Sequence, residues 1–238
     1  MGHEMLAGLF HLQKGFRVID LSHPLHEAIP IYPGDPEFRA ERAVRLEEKG
    51  YNVHRICMGS HAGTHIDAPA HFVAGGATVD ALPPEDFVLV GTVLDLRDKG
   101  PRQPVTVKDL EPFAARLDGV QFPLLYFGWD RYWQDPEQMQ AHPFLSGEAA
   151  RWLADRGVRG VGTDGMSVDE TGGEACPAHE ELMGRGLLIA ENLANLGRIR
   201  TARPLLFLLP LPLVGSDASP VRAVALEPAI DPPDAGLL

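Results

Sequence analysis

Four side chains that can hold a cation or move a proton fall within eleven residues: His61, His65, Asp67 and His71. They sit in Ser60-His61-Ala62-Gly63-Thr64-His65-Ile66-Asp67-Ala68-Pro69-Ala70-His71-Phe72. Two imidazoles plus a carboxylate suit a borderline divalent ion, with Zn²⁺ first and Mn²⁺ or Fe²⁺ as alternatives. A further imidazole beside them titrates near neutral pH and can shuttle protons. A lone histidine in such a loop is as readily a turn residue. Four such groups around Gly-Thr and Pro favour the metal reading. One loop seldom supplies every ligand, and the downstream candidates are His179 and Glu191, where Glu191 directly follows four apolar residues. A carboxylate there is costly unless something pairs it, and a metal would.

These groups must be gathered by the backbone. Gly63, Thr64, Ile66 and Pro69 count against a regular helix. As one extended strand, His61 and His71 would stand roughly 33 Å apart. The segment therefore reads as a compact turn that folds back at Gly63 and Pro69. His179 and Glu191 are 12 residues apart, which on one helix is roughly 18 Å of rise. Gly184-Arg185-Gly186 resolves this by ending a short helix begun near Ala178 and releasing Leu187–Ala190 as a strand.

The remaining chain supplies a scaffold. Strands are expected at 17–21, 51–58, 87–96, 122–127, 158–163, 205–214 and 221–226, and helical spacing at 107–117. Ser146 is a good N-cap for a helix over 147–156 that Gly157 stops. This mixture predicts an α/β fold, a single domain with a mixed sheet over residues 17–228. A weakly structured segment (1–16) precedes it and a tail (229–238) follows. With 21 Lys plus Arg against 33 Asp plus Glu, the net charge of −12 disfavours nucleic acid. The longest apolar stretch, 205–214, is about half a membrane span and is broken by Pro210 and Pro212, so no membrane partner is expected. No secretory signal is evident, which suits a cytoplasmic location. Cys57 and Cys176 read as a small core residue and a loop residue rather than a disulfide framework. His23, His26, His54 and His142 read as surface or turn residues. Trp129, Tyr132 and Trp133 are candidates to stack on an aromatic ligand, with packing the preferred reading, and Asp164 and Asp169 read as turn caps or partners of ligating histidines.

The pattern His61-x-Gly63-Thr64-His65-x-Asp67-x-Pro69-x-His71-Phe72 resembles the signature of the metal-dependent cyclase family, which includes bacterial-type kynurenine formamidase and isatin hydrolase. Further likeness lies in Asp20-Leu21-Ser22, Pro33-Gly34-Asp35, 162–169 and 215–222. The resemblance implies a swivelling β/β/α architecture in homodimers or homotetramers and a site with two divalent ions. His61, His65 and Asp67 would hold one ion, Asp67 and Glu191 would bridge to the second, and His179 would complete it. His71 would be the acid/base. Tyr32 and Phe72 are candidates to stack on an aryl substrate. Tyr32 stands where the formamidases carry Trp, which bears on the substrate more than on the reaction.

The resulting expectation is a metal-dependent hydrolase of a small aromatic amide, with N-formyl-L-kynurenine first among substrates. The alternatives are hydrolysis of a cyclic amide of the isatin type, a metal-dependent cyclase or lyase of secondary metabolism, and a non-catalytic metal-binding protein. A water activated by metal needs no serine or cysteine nucleophile, and the chain has no Gly-x-Ser-x-Gly elbow.

Overall fold

The protein is described by a computed structural model over residues 15–229. The expected leading segment and tail lie outside the described residues, apart from Gly15, Phe16 and Ala229. In chain order the strands are β1 (Phe16–Asp20), β2 (Arg39–Val44), β3 (Val53–Cys57), β4 (His65–Asp67), β5 (Val88–Asp95), β6 (Pro104–Val105) and β7 (Phe122–Tyr126). They continue as β8 (Phe144–Leu145), β9 (Gly160–Thr163), β10 (Leu188–Glu191), β11 (Leu205–Phe207), β12 (Ala218–Pro220) and β13 (Val224–Pro228). The α-helices are α1 (Leu46–Lys49), α2 (Val107–Leu110), α3 (Pro136–Gln140), α4 (Gly147–Ala154) and α5 (Pro177–Gly184).

Nine strands form one mixed sheet in the order β1-β13-β11-β5-β7-β9-β10-β4-β12. The centre from β5 to β10 is parallel and both flanks are antiparallel. Period-two alternation sends side chains to two separate cores. On β7, Phe122 and Leu124 join Leu89, Ile66, Ala190 and Leu206 on one face. Leu125 joins Ile189, Leu94 and the inner residues of α4 and α5 on the other. The expected mixed α/β domain is therefore what the chain forms. No helix among the described residues is long and apolar enough to cross a membrane.

Ser146 caps α4 by accepting from the Ala149 N–H at 3.1 Å, as the sequence implies. Helical spacing from Val107 is α-helical only to Leu110 and continues as a 3₁₀ stretch over Glu111–Leu117. Pro112 is the reason, since it lacks an N–H and its ring crowds the carbonyl four residues back. The expected core strand over 205–214 is corrected more sharply. It forms a strand only over Leu205–Phe207, with one isolated antiparallel bridge from Pro210 to Val221, while Leu209, Leu211, Leu213 and Val214 are exposed. Pro210 and Pro212 cannot donate to a ladder and end it. Cys57, expected in the core, is exposed because β3 pairs only with β2 in a separate two-stranded hairpin.

Two histidines read as surface or turn residues are packed instead, His142 fully and His23 partly. His142 is buried, with Nδ1 donating to the Pro143 carbonyl and Nε2 2.8 Å from Thr171 Oγ1. His23 stacks on Trp133 with ring centroids 4.0 Å apart. Trp129 and Trp133 are core residues, as expected. Asp164 caps a turn, accepting from the N–H groups of Phe127 and Trp129 at 2.9 Å each.

Two predictions follow from this packing. A Cβ on Gly76 would stand 2.7 Å from the Pro69 carbonyl carbon and 2.9 Å from the Ala70 nitrogen, both backbone atoms. Gly76→Ala is expected to cost about 1–3 kcal/mol, read as a lower urea midpoint at unchanged slope. Burial pushes the His23 imidazole down to about 4, against the pull of Asp130 and Asp20. The unfolded chain, whose His23 titrates near 6.5, binds the extra proton first, so stability falls as pH drops from 6.5 towards 4. His23→Phe keeps a ring on Trp133 and should lose less Tm than the parent between pH 7 and pH 5. An equal loss would count against this account.

Candidate active site

Strand pairing assembles the site. In the register of β4 with β10, Glu191 stands opposite His65 and Ile189 opposite Asp67. Because side chains alternate, His65 and Asp67 share one face while Ile66 points into the core. Upstream, Gly63 turns the chain at φ +68, and a Cβ there would meet Leu25 Cδ2 at 2.3 Å. Downstream, a 3₁₀ turn over Pro69–His71 brings His71 back. The His61 and His71 rings consequently lie with centroids 4.1 Å apart, against roughly 33 Å for an extended run. The stretch is a turn, a three-residue strand and a second turn. α5 ends at Gly184 and β10 begins at Leu188, so His179 near the helix start meets Glu191 at the strand end.

His61, His65, Asp67, His71, His179 and Glu191 are thus brought together. Three imidazoles each spend one nitrogen outward and aim the other inward. His65 Nδ1 donates to the Gly63 carbonyl at 2.8 Å, leaving Nε2 buried without a hydrogen bond, 3.3 Å from Asp67 Oδ1 and 3.4 Å from Glu191 Oε2. His179 Nδ1 donates to Asp169 Oδ2 at 2.7 Å, leaving Nε2 3.5 Å from Glu191 Oε1 and 3.9 Å from Asp67 Oδ2. His61 Nε2 donates to Asp217 Oδ2 at 3.0 Å, leaving Nδ1 2.8 Å from Asp67 Oδ1. That last approach lacks hydrogen-bond alignment, and both oxygens of the buried Asp67 accept nothing.

Nitrogen lone pairs facing unsatisfied carboxylate oxygens repel unless positive charge lies between them. The two carboxylates also act on the imidazoles directly. Burial opposes charge on His65, but Asp67 and Glu191 outweigh it and raise its pKa well above the ordinary value. Burial likewise disfavours the Asp67 carboxylate, yet His65 and His61 hold it well below the usual range. His71 differs, because burial, with help from His61 and His179, pushes it below the ordinary imidazole value. Donor atoms of His61, His65 and Asp67 lie within 4.8 Å of one another, as do those of Asp67, His179 and Glu191. The mixed nitrogen and oxygen donors, with outward hydrogen bonds orienting them, fit a divalent metal ion.

The family model named Cyclase matches residues 19–170. The chain belongs to the cyclase family. It is 35% identical to a kynurenine formamidase of Erythrobacter litoralis over 221 residues, covering 92% of this chain and 96% of that one. Its fold is similar to isatin hydrolase A from Labrenzia aggregata bound to benzyl benzoate, with TM-score 0.82, 26% identity and coverage of 94% and 98%. It is also similar to a potential metal-dependent hydrolase with cyclase activity, with TM-score 0.73, 32% identity and coverage of 89% and 98%.

In this cyclase-family chain a cavity of about 220 Å³ opens over the cluster. Tyr32 and Phe72 line it, as do Pro30, Asp35, Met166 and Cys176. Phe72 stacks on His179 at 4.6 Å and an interplanar angle of 21°. Asp169 does both things expected of it, accepting from the Ala178 and His179 backbone N–H groups and orienting His179. Sequence reasoning missed Asn192, whose side chain supports the Gly63 carbonyl at 3.1 Å, and placed Asp217 only in a motif without a role. Asp217 lies 146 residues from His71 in sequence yet 3.1 Å from its Nδ1. The sequence signal was its place in the Gly-Ser-Asp stretch before β12, which lines up beside β4.

The unsatisfied carboxylate predicts metal retention. The purified protein, dialysed against Zn²⁺ or Mn²⁺ and then against buffer, is expected to keep a divalent ion and gain Tm. Asp67→Ala should lose both effects. Retention by that variant equal to the parent would reject the cluster as the site.

Proposed function

We propose that the protein is a metal-dependent hydrolase of the carbon–nitrogen bond in an aryl formamide, converting N-formyl-L-kynurenine to L-kynurenine and formate. The observation carrying this reading is a buried carboxylate, Asp67, shared by two donor clusters, with the His71 ring 4.1 Å from that of His61. The similarity to kynurenine formamidases supports the substrate. In this reading His61, His65 and Asp67 would hold one ion, and Asp67, His179 and Glu191 would hold the second. Zn²⁺ is the first expectation for both and Mn²⁺ the alternative. Bound divalent ions supply Lewis acidity, polarising a carbonyl and making a water more acidic.

The chain's own residues do the rest. His71, neutral at pH 7, accepts a proton from the attacking water at the ring nitrogen that Asp217 does not engage. It then gives that proton to the departing nitrogen as the C–N bond breaks. The water oxygen remains with the formyl carbon, so one water is consumed for one formate and one aryl amine. Phe72 and Tyr32 present aromatic faces to the aryl ring. The exposed Leu211, Leu213 and Val214 support the homodimer or homotetramer that the family resemblance implies.

A second reading, hydrolysis of a cyclic amide such as isatin, is favoured by the likeness to isatin hydrolase A and by Tyr32 at the pocket wall. Product mass separates the two, since formate release splits the substrate whereas ring opening only adds water. Incorporation of labelled solvent oxygen excludes a lyase. Turnover of N-formyl-L-kynurenine that chelator abolishes and metal restores is the expected result. His71→Ala should lower kcat by about 10²–10⁴-fold with metal content retained. Metal loss in His71→Ala together with retention in His61→Ala would overturn the assignment of roles.

A further inference from the structure

Asp217 is not among the residues that line the cavity. It stands behind it, and its Oδ2 lies within hydrogen-bond distance of two imidazoles, 3.0 Å from His61 Nε2 and 3.1 Å from His71 Nδ1. Its other oxygen, Oδ1, accepts from the Ser60 hydroxyl at 3.0 Å. The backbone clamps the residue in place, because the Asp217 carbonyl accepts from the Ala68 N–H at 2.8 Å and the Ser216 carbonyl from the Val79 N–H at 3.0 Å. These bonds tie the 216–217 segment to Ala68 and Val79, on either side of the stretch that carries His71.

We infer that Asp217 is a positioning residue that sets the tautomers of His61 and His71 together. A carboxylate oxygen can only accept, so each ring nitrogen facing it carries the hydrogen. For His61 this places the lone pair on Nδ1, the atom 2.8 Å from Asp67 Oδ1, where an ion would be held. For His71 it places the hydrogen on Nδ1 and the lone pair on Nε2. One oxygen thereby divides two neighbouring histidines into a ligand and a base. Ser60 fixes the rotation of the carboxylate so that Oδ2, rather than both oxygens in turn, takes the two imidazoles. The role in turnover rests on the hydrolase reading above, whereas the tautomer assignment does not.

The test uses the full chain loaded with Zn²⁺. In ¹⁵N-histidine spectra the parent is expected to show His71 as the Nδ1–H tautomer, and Asp217→Asn should convert it wholly or partly to Nε2–H. The same variant should lower kcat for N-formyl-L-kynurenine by about 10–100-fold with little change in KM, and weaken Zn²⁺ retention against chelator by a similar factor. Ser60→Ala should shift the tautomer in the same direction with about a fivefold loss in kcat. An unchanged His71 tautomer in Asp217→Asn, or kcat within twofold of the parent, would overturn the inference. If Asp217→Asn does not fold, Ser60→Ala decides by the same two readouts, and no change in either rejects it. Failure of the parent to turn over the formamide would instead count against the hydrolase reading, since the spectra and chelator competition need no substrate.

Discussion

The structure turns on one carboxylate. Asp67 is wholly buried, its two oxygens accept no hydrogen bond, and imidazole nitrogens crowd it on several sides. Burying an ionised group without compensation is among the most expensive things a fold can do. Every neighbouring feature bears on that cost. The histidines have already spent one nitrogen each on Gly63, Asp169 and Asp217, so none offers Asp67 an aligned donor. What remains is a set of lone pairs with negative charge at its centre, and a cation is the partner that satisfies all of them at once.

That arrangement survives because the backbone carrying it is held by forces unrelated to the site. β4 is only three residues long, but it lies between β10 and β12 with both edges paired. Ile66, between the two ligand candidates, is anchored in an apolar core. Burying such a side chain is worth about 1.5–3 kcal/mol, and the pleat then leaves His65 and Asp67 no choice of face. A one-residue slip would exchange Ile66 for the polar pair and put two polar side chains in the core. Register and site chemistry are therefore one constraint seen from two sides.

How far this was legible in the sequence depended on distance along the chain. The grouping of His61, His65, Asp67 and His71 was readable because Gly63 and Pro69 limit what so short a segment can do. His179 and Glu191 were readable because Gly184-Arg185-Gly186 breaks the helix that would have separated them. Asp217 had only its Gly-Ser-Asp stretch as a signal, which names no partner, since His71 lies 146 residues away. Errors elsewhere share that origin. The run over 205–214 looked like a core strand by composition, but the ladder needs N–H donors that Pro210 and Pro212 lack. Cys57 looked apolar and buried, yet β3 belongs to a hairpin whose residues are exposed. His142 has no motif, and only the tertiary fold supplies the Pro143 carbonyl and Thr171 hydroxyl that make its burial tolerable.

Asp169 shows how stability and chemistry are joined at the far side of the site. One oxygen accepts from the Ala178 N–H, and the other takes both the His179 N–H and the His179 ring. The first turn of α5 has free N–H groups that need acceptors, and the positive end of the helix favours an anion there. The carboxylate that starts the helix is thus the one that directs His179 Nε2 towards Glu191 and Asp67. Phe72, at the end of the 3₁₀ turn that follows β4, closes the arrangement by stacking on the same ring. His179 is therefore held by a helix cap, a stacked aromatic ring and its own backbone before any ion arrives. A side chain ordered in this way would lose little conformational entropy on binding an ion, which is how a site made of sequence-distant groups can be preorganised rather than assembled by its occupant.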